Sequence, residues 1–193
     1  MSKGRLEAFS DGVFAILITI MVLELRPPEG SSFEALKPLI PKVISYALSF
    51  VYIGIYWNNH HHLFQAVSHV NGKILWYNTL LLFCISLISF ATAWMGENHF
   101  VAAPVALYGI VLLMCAISYW LLVKTLLRHH AKDSLLATSI GNDFKGKISI
   151  VIYILGVLIS FYNSWISTGS YIVVALIWFI PDTRIEKRID KEI

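Results

Sequence analysis

Arg5, Glu7, Ser10 and Asp11 stand immediately before, and run unbroken into, the apolar stretch from Val13 to Leu25. An acid carried into hydrocarbon costs roughly 3 kcal/mol unless it faces protein or water, so Asp11 marks either function or architecture. Histidine is the second chemistry-bearing type. Asn58-Asn59-His60-His61-His62 forms one box, and His69, His99 and the pair His129-His130 lie apart from it. A membrane zinc or di-iron enzyme needs several such boxes on different helices converging on one ion. One box does not meet that need, so neither a metal site nor a catalytic site is expected. Imidazoles titrate near neutrality and could sense pH, but nothing in their spacing singles out that role. No G-x-S-x-G elbow, glycine-rich phosphate loop or H-E-x-x-H pair occurs. The Thr-Val-Gly-Tyr-Gly carbonyl filter is absent as well.

The elements that position these groups follow from composition. Of 193 residues 57% are hydrophobic and only 14% charged, against about 25% charged in soluble domains. The chain reads as an all-α integral membrane protein. Six apolar segments of about 20 residues match the bilayer thickness, over about Leu6–Leu25, Phe33–Asn59, Lys73–Met95, Phe100–Leu127, Ile148–Tyr162 and a last one ending at Pro181-Asp182. Pro27-Pro28 stops the first, and Ser32 is a candidate N-cap for the second. The connections are a histidine-rich Asn59 to Gly72, a turn at Gly96 to His99, a long polar stretch from Arg128 to Lys147 with a turn signal at Gly141-Asn142-Asp143, and a turn at Asn163-Ser164. With no internal repeat, residues 1–193 form one six-helix unit.

With six spans both termini share a side. Lys3, Arg5, Lys73, Lys124, Arg128, Lys132, Lys145, Lys147, Arg184, Lys187, Arg188 and Lys191 lie there, against Arg26, Lys37 and Lys42 opposite. Positive-inside asymmetry puts both termini in the cytoplasm. The tail Thr183 to Ile193 mixes bases with Asp190, Glu186 and Glu192, which suits a membrane-surface helix and not nucleic acid. Trp57, Trp76, Trp94 and Trp165 fall near interfaces, where anchoring is expected. Cys84 and Cys115 fall in apolar runs as small buried hydrophobes. The N-terminal run is too long for a cleaved signal peptide and lacks a small-residue cleavage site.

On helix one, Ile16, Ile20 and Leu23 recur at i, i+4, i+7, a single helical stripe with Thr19 beside it. Asp11 lies well away from that stripe, on a face that would meet neighbouring helices. Periodicity alone favours a stripe that packs against other helices. If copies of helix one surround a common axis, the stripe would instead form a dewetting constriction. Asp11 could pair with Arg5 or a histidine.

Arg5-x-x-x-Phe9-Ser10-Asp11 at the start of the first of six spans resembles the signature of the transmembrane-protein-175 family of potassium channels. This chain, with a single repeat, is similar to the prokaryotic form across its length. The resemblance implies a homotetramer in the lipid bilayer, pore lined by helix one without a P-loop, conducting potassium and other monovalent cations with no cofactor. It implies a constriction at Ile16, Ile20 and Leu23, and a selectivity position at Thr19. The motif residues Arg5, Phe9, Ser10 and Asp11 are then expected to pack on helices two and three, with Trp57, His60 or His61, and Asn78 as partners, and Glu24 at a pore mouth. A bacterial inner (cell) membrane is the implied location. The alternative is a secondary transporter of a small ion or solute. That class uses a midplane site and broken helices, which an uninterrupted helix one without a central proline does not offer.

Overall fold

Why the first helix stops where it does is visible in its last turn. Backbone bonds Glu24 N–H to Met21 O (3.3 Å) and Leu25 N–H to Val22 O (3.1 Å) tighten the chain to i→i−3 spacing. In this computed structural model, which describes residues 2–130 and 144–179, helix α1 therefore spans Lys3–Leu23, not Leu6–Leu25. Pro27-Pro28 lie beyond its end.

The expected second helix divides in two. Phe33–Leu39 is a 3-10 segment containing Pro38, whose missing N–H suits short local turns. Helix α2 then runs Ile40–Gln65 with Pro41 in its first turn. Ser32 occupies the N-cap position of the 3-10 segment but makes no side-chain capping bond. At its other end α2 continues six residues past Asn59, so the histidine box is helical and not part of a polar connection. Each of its first two histidines has a partner there, His61 one turn from Gln65 at 2.8 Å and His60 within the bundle.

Helix α3 spans Gly72–Glu97, started by Asn71, whose Oδ1 accepts from Ile74 N–H at 3.0 Å. Such a cap is worth about 1 kcal/mol. Gly96 and Glu97 belong to this helix, so the outer turn falls later than expected, through His99 and Phe100 at φ 50° and 59°. Helix α4 spans Ala102–His129, α5 spans Phe144–Ser160 and α6 spans Ser164–Phe179. Asn163 Oδ1 starts α6 by accepting from Trp165 N–H (3.0 Å) and Ile166 N–H (3.1 Å). The turn expected at Gly141-Asn142-Asp143, the stop at Pro181-Asp182 and the surface tail lie outside the described residues.

Four segments, Lys3–Leu23, Phe33–Gln65, Gly72–Glu97 and Ala102–His129, are long and apolar enough to cross a membrane. Helices α5 and α6, at 17 and 16 residues, are shorter over their described lengths. Sequence neighbours pack side by side, α2 on α3, α3 on α4, α4 on α5 and α5 on α6, while α1 rests on α2 and α3 as an edge helix. Ile53, Leu81, Ile85, Ile88, Leu112 and Leu122 fill the centre, and both cysteines are free and buried.

Hydroxyls cross this oily core in pairs. Tyr52 O–H donates to Tyr171 O at 2.6 Å and Tyr153 O–H to Tyr52 Oη at 3.2 Å. Ser49 Oγ lies 2.9 Å from Tyr108 Oη and 2.6 Å from Thr92 Oγ1. An unsatisfied polar group in hydrocarbon costs several kcal/mol, so these bonds fix which faces of α2, α3, α4, α5 and α6 meet.

Candidate functional site

The buried face of α1 is Leu6, Ser10, Phe14, Leu17 and Met21. These residues recur three or four apart, and Ser10 is the polar one. Its hydroxyl donates to Leu6 O one turn earlier at 2.8 Å, leaving the oxygen free to accept. Asn78 Nδ2 of α3 donates to it at 3.0 Å. That bond fixes the amide orientation and turns Asn78 Oδ1 toward His60 Nε2 of α2, 2.7 Å away. Since Oδ1 can only accept, His60 must carry its proton on Nε2. Ser10, Asn78 and His60 are 0%, 2% and 1% exposed. Phe14 closes over the imidazole edge-on at 5.7 Å, and Phe64 lies 4.6 Å from it on the same helix. Three helices are thus joined by one directional chain of donors.

A second contact lies on the flank of that face. Trp57 Nε1–H of α2 donates to Asp11 Oδ1 at 3.0 Å, and the His61 ring stacks on Trp57 at 6.0 Å and 17°. Asp11 pairs with an indole, not with Arg5 or a histidine. Trp57 therefore has a specific partner besides any interfacial role. Both histidines left open by the sequence touch the motif's surroundings by different means: His60 through Asn78, His61 through Trp57.

Arg5 and Phe9 do not pack on α2 or α3 within the chain. Both are exposed, Phe9 at 59%. Residues 5, 9, 12 and 16 continue one another along the helix, and this row points away from the bundle. Ile16, Ile20 and Leu23, at 58%, 46% and 75% exposure, lie along the same side. The stripe that periodicity would pack against neighbours is thus unpacked in the single chain; a different stripe performs the packing. Thr19 is exposed beside it, its hydroxyl donating to Ile16 O at 2.8 Å. Glu24 is exposed at the helix end.

Leu6, Phe14, Leu17 and Met21, which do the packing, are spaced as regularly as Ile16, Ile20 and Leu23, and that spacing is the signal for them in the sequence. For the buried hydroxyls of Ser49, Tyr52, Tyr108, Tyr153 and Tyr171 the signal is a polar group inside an apolar span. Among the described residues, no group of three or more histidine, cysteine, aspartate or glutamate side chains is placed to hold a metal.

Fold and site together define a multi-pass, all-helical membrane protein in which a motif-bearing edge helix is clasped by its two successors. The family model described as the endosomal/lysosomal potassium channel TMEM175 matches residues 5–88, the three helices that carry the Ser10–Asn78–His60 chain. A potassium channel of Chryseobacterium sp. (strain P1-3) is 57% identical over 187 residues, covering 97% of each chain. The crystal structure of a lysosomal potassium-selective channel TMEM175 homolog from Chamaesiphon minutus superposes with a TM-score of 0.81 at 30% identity, covering 93% of this chain and 97% of that one. The endosomal/lysosomal proton channel TMEM175 of Homo sapiens is 36% identical over 94 residues, 42% of this chain and 19% of that protein. The chain belongs to the TMEM175 family, in its prokaryotic form.

Proposed function

We propose that this protein is a potassium-permeable cation channel, formed when four copies place α1 around a shared axis in a bacterial inner membrane, with both termini cytoplasmic. The observation that carries the reading is the division of α1. One face is locked to α2 and α3 through Ser10, while Ile16, Ile20 and Leu23 project from the edge of the bundle. Lipid tails could cover such side chains equally well, so the family's described activity supplies the second support.

In a tetramer the three residues would form a neck too apolar to replace an ion's hydration shell. Conduction would then depend on the neck's width and wetting, with no carbonyl filter of the P-loop kind. Thr19 places an oxygen at the same level: its proton is already given to Ile16 O, so its lone pairs remain for a passing cation. Continuity of α1 from Lys3 to Leu23 supports a channel over a transporter, whose midplane sites use broken helices.

Two measurements test this. Mass determination in detergent or nanodiscs should return four chains. Proteoliposomes should show potassium flux without a coupled ion, and Leu23→Ala or Ile16→Asn should raise the flux or reduce discrimination between potassium and sodium. A monomer or dimer, or flux that neither substitution alters, overturns the neck.

A further inference from the structure

Ala116, Trp120, Lys124 and Arg128 recur four apart on α4 and form one row along the helix. Ala116 and Trp120 line a narrow cleft together with Gly146 of α5, so the two basic residues continue the row past the first turn of α5. Lys147 stands next to Gly146 and is exposed, as is Arg128, while Lys124 is half-buried. Three cations thus belong to the α4–α5 junction. Lys124 turns its Nζ back along α4, 4.4 Å from the centroid of the Trp120 ring, toward the middle of the span and not toward its end. Among the described residues these three cations have no carboxylate partner, and α4, α5 and α6 carry no Asp or Glu. At the opposite end of the bundle Lys37 pairs with Glu34 and Lys42 with Glu97. A cation within a membrane-spanning helix is costly without an anion, and here α4, α5 and α6 supply none. Beyond Lys147 the surface of α5 turns apolar. Val151, Leu155 and Leu158 follow it at helical spacing, at 49%, 51% and 65% exposure.

We propose that the α4–α5 junction binds the headgroup of an acidic phospholipid, with an acyl tail laid along Val151, Leu155 and Leu158. A guanidinium such as that of Arg128 takes phosphate oxygens in pairs, and each ammonium adds a point charge. Basic sites between membrane helices recognise acidic headgroups by this chemistry. A soluble phosphate ester would meet the same cations but leave the apolar row uncovered, which is why the observations favour a lipid. The site stands on helices other than α1 and does not depend on the pore reading.

The probe is dioleoylphosphatidylglycerol, with zwitterionic dioleoylphosphatidylcholine as control, each titrated into the purified full-length protein in detergent. Native mass spectrometry should show the acidic lipid retained in preference to the control. Lys124→Gln and Arg128→Gln should each weaken its binding about fivefold, the scale of one basic residue facing acidic lipid. Lys73→Gln removes an exposed cation of α3 at the same end of the bundle, where Asn71 meets His129, and should leave the binding unchanged. Leu155→Asn should weaken it, and millimolar glycerol 3-phosphate should not compete. Equal retention of the two lipids overturns the proposal. So does an equal loss in Lys73→Gln, which would reduce the effect to diffuse charge at that end. Competition by glycerol 3-phosphate, or no loss in Leu155→Asn, overturns the lipid as occupant. If Lys124→Gln fails to fold, Lys147→Gln at an exposed position carries the same comparison with Lys73→Gln.

Discussion

Asn78 Nδ2 donates to Ser10 Oγ across 3.0 Å, a directional bond between the third helix and the first within their apolar contact. The amide cannot be replaced without breaking two links, because its oxygen accepts from His60 at 2.7 Å. Asn78→Leu should therefore lower stability by about 1–3 kcal/mol, leaving the His60 N–H buried with no acceptor. Thermal or denaturant unfolding in detergent measures this. Arg5→Ala, an exposed member of the same motif, should change the stability of the single chain by less than about 0.5 kcal/mol. Equal costs for the two substitutions would contradict the packing described.

The Trp57–Asp11 contact at 3.0 Å calls for a double-mutant cycle. Trp57→Phe keeps an aromatic ring able to stack on His61 while removing the N–H together with part of the indole. Combined with Asp11→Ala, which removes the acceptor, it should give a coupling of about 1 kcal/mol, modest because Asp11 is exposed. A coupling near zero would mean that the indole acts through stacking alone.

Much of this arrangement was legible in the sequence. The apolar segments, the polar motif at the head of the first, and Asn78 as an amide inside an apolar span could all be read there. The working faces of α1 could not. Leu6, Phe14, Leu17 and Met21 make one apolar row and Ile16, Ile20 and Leu23 another, so periodicity identifies a helix without saying which row packs. What decides is Ser10, a small polar group within the first row that meets Asn78. The histidine box ran on in α2 for a related reason: local composition reads as a loop, but His60 gains a buried partner only if the helix continues. The division of Phe33 to Leu39 from α2 follows from two prolines whose effect on the turn geometry depends on where the helix is pinned.

Glycine near Tyr171 gives a steric test. A Cβ at Gly109 would fall inside the Tyr171 hydroxyl, 2.6 Å from its Cζ and 2.9 Å from Val157 Cγ2. The tyrosine is fully buried and cannot swing aside. Gly109→Ala should cost about 1–3 kcal/mol by overpacking and separate α4 from α6. Gly54→Ala, where an added Cβ meets nothing within 4 Å, should be neutral or slightly stabilising, since alanine is the better helix former by about 1 kcal/mol. Unfolding measurements on the two variants decide. If both behave alike, the close approach of Tyr171 to α4 is wrong.

Thr19 separates two properties of the proposed pore that the stripe residues would change together. Its hydroxyl proton is committed to Ile16 O at 2.8 Å, so the side chain can offer a cation only lone pairs, and the methyl group contributes the apolar remainder. Thr19→Val preserves the shape and removes the oxygen. The neck's width should then stay as it is and its wetting change little, so potassium flux should persist. Preference for potassium over sodium should fall, because the one side-chain oxygen at that level is gone. Thr19→Ser, which keeps the oxygen and loses the methyl group, should retain the preference. Bi-ionic potentials across reconstituted bilayers read the ratio directly. If valine preserves the preference and serine destroys it, discrimination comes from packing at the neck and not from the hydroxyl; if neither substitution changes it, Thr19 does not face the ion path.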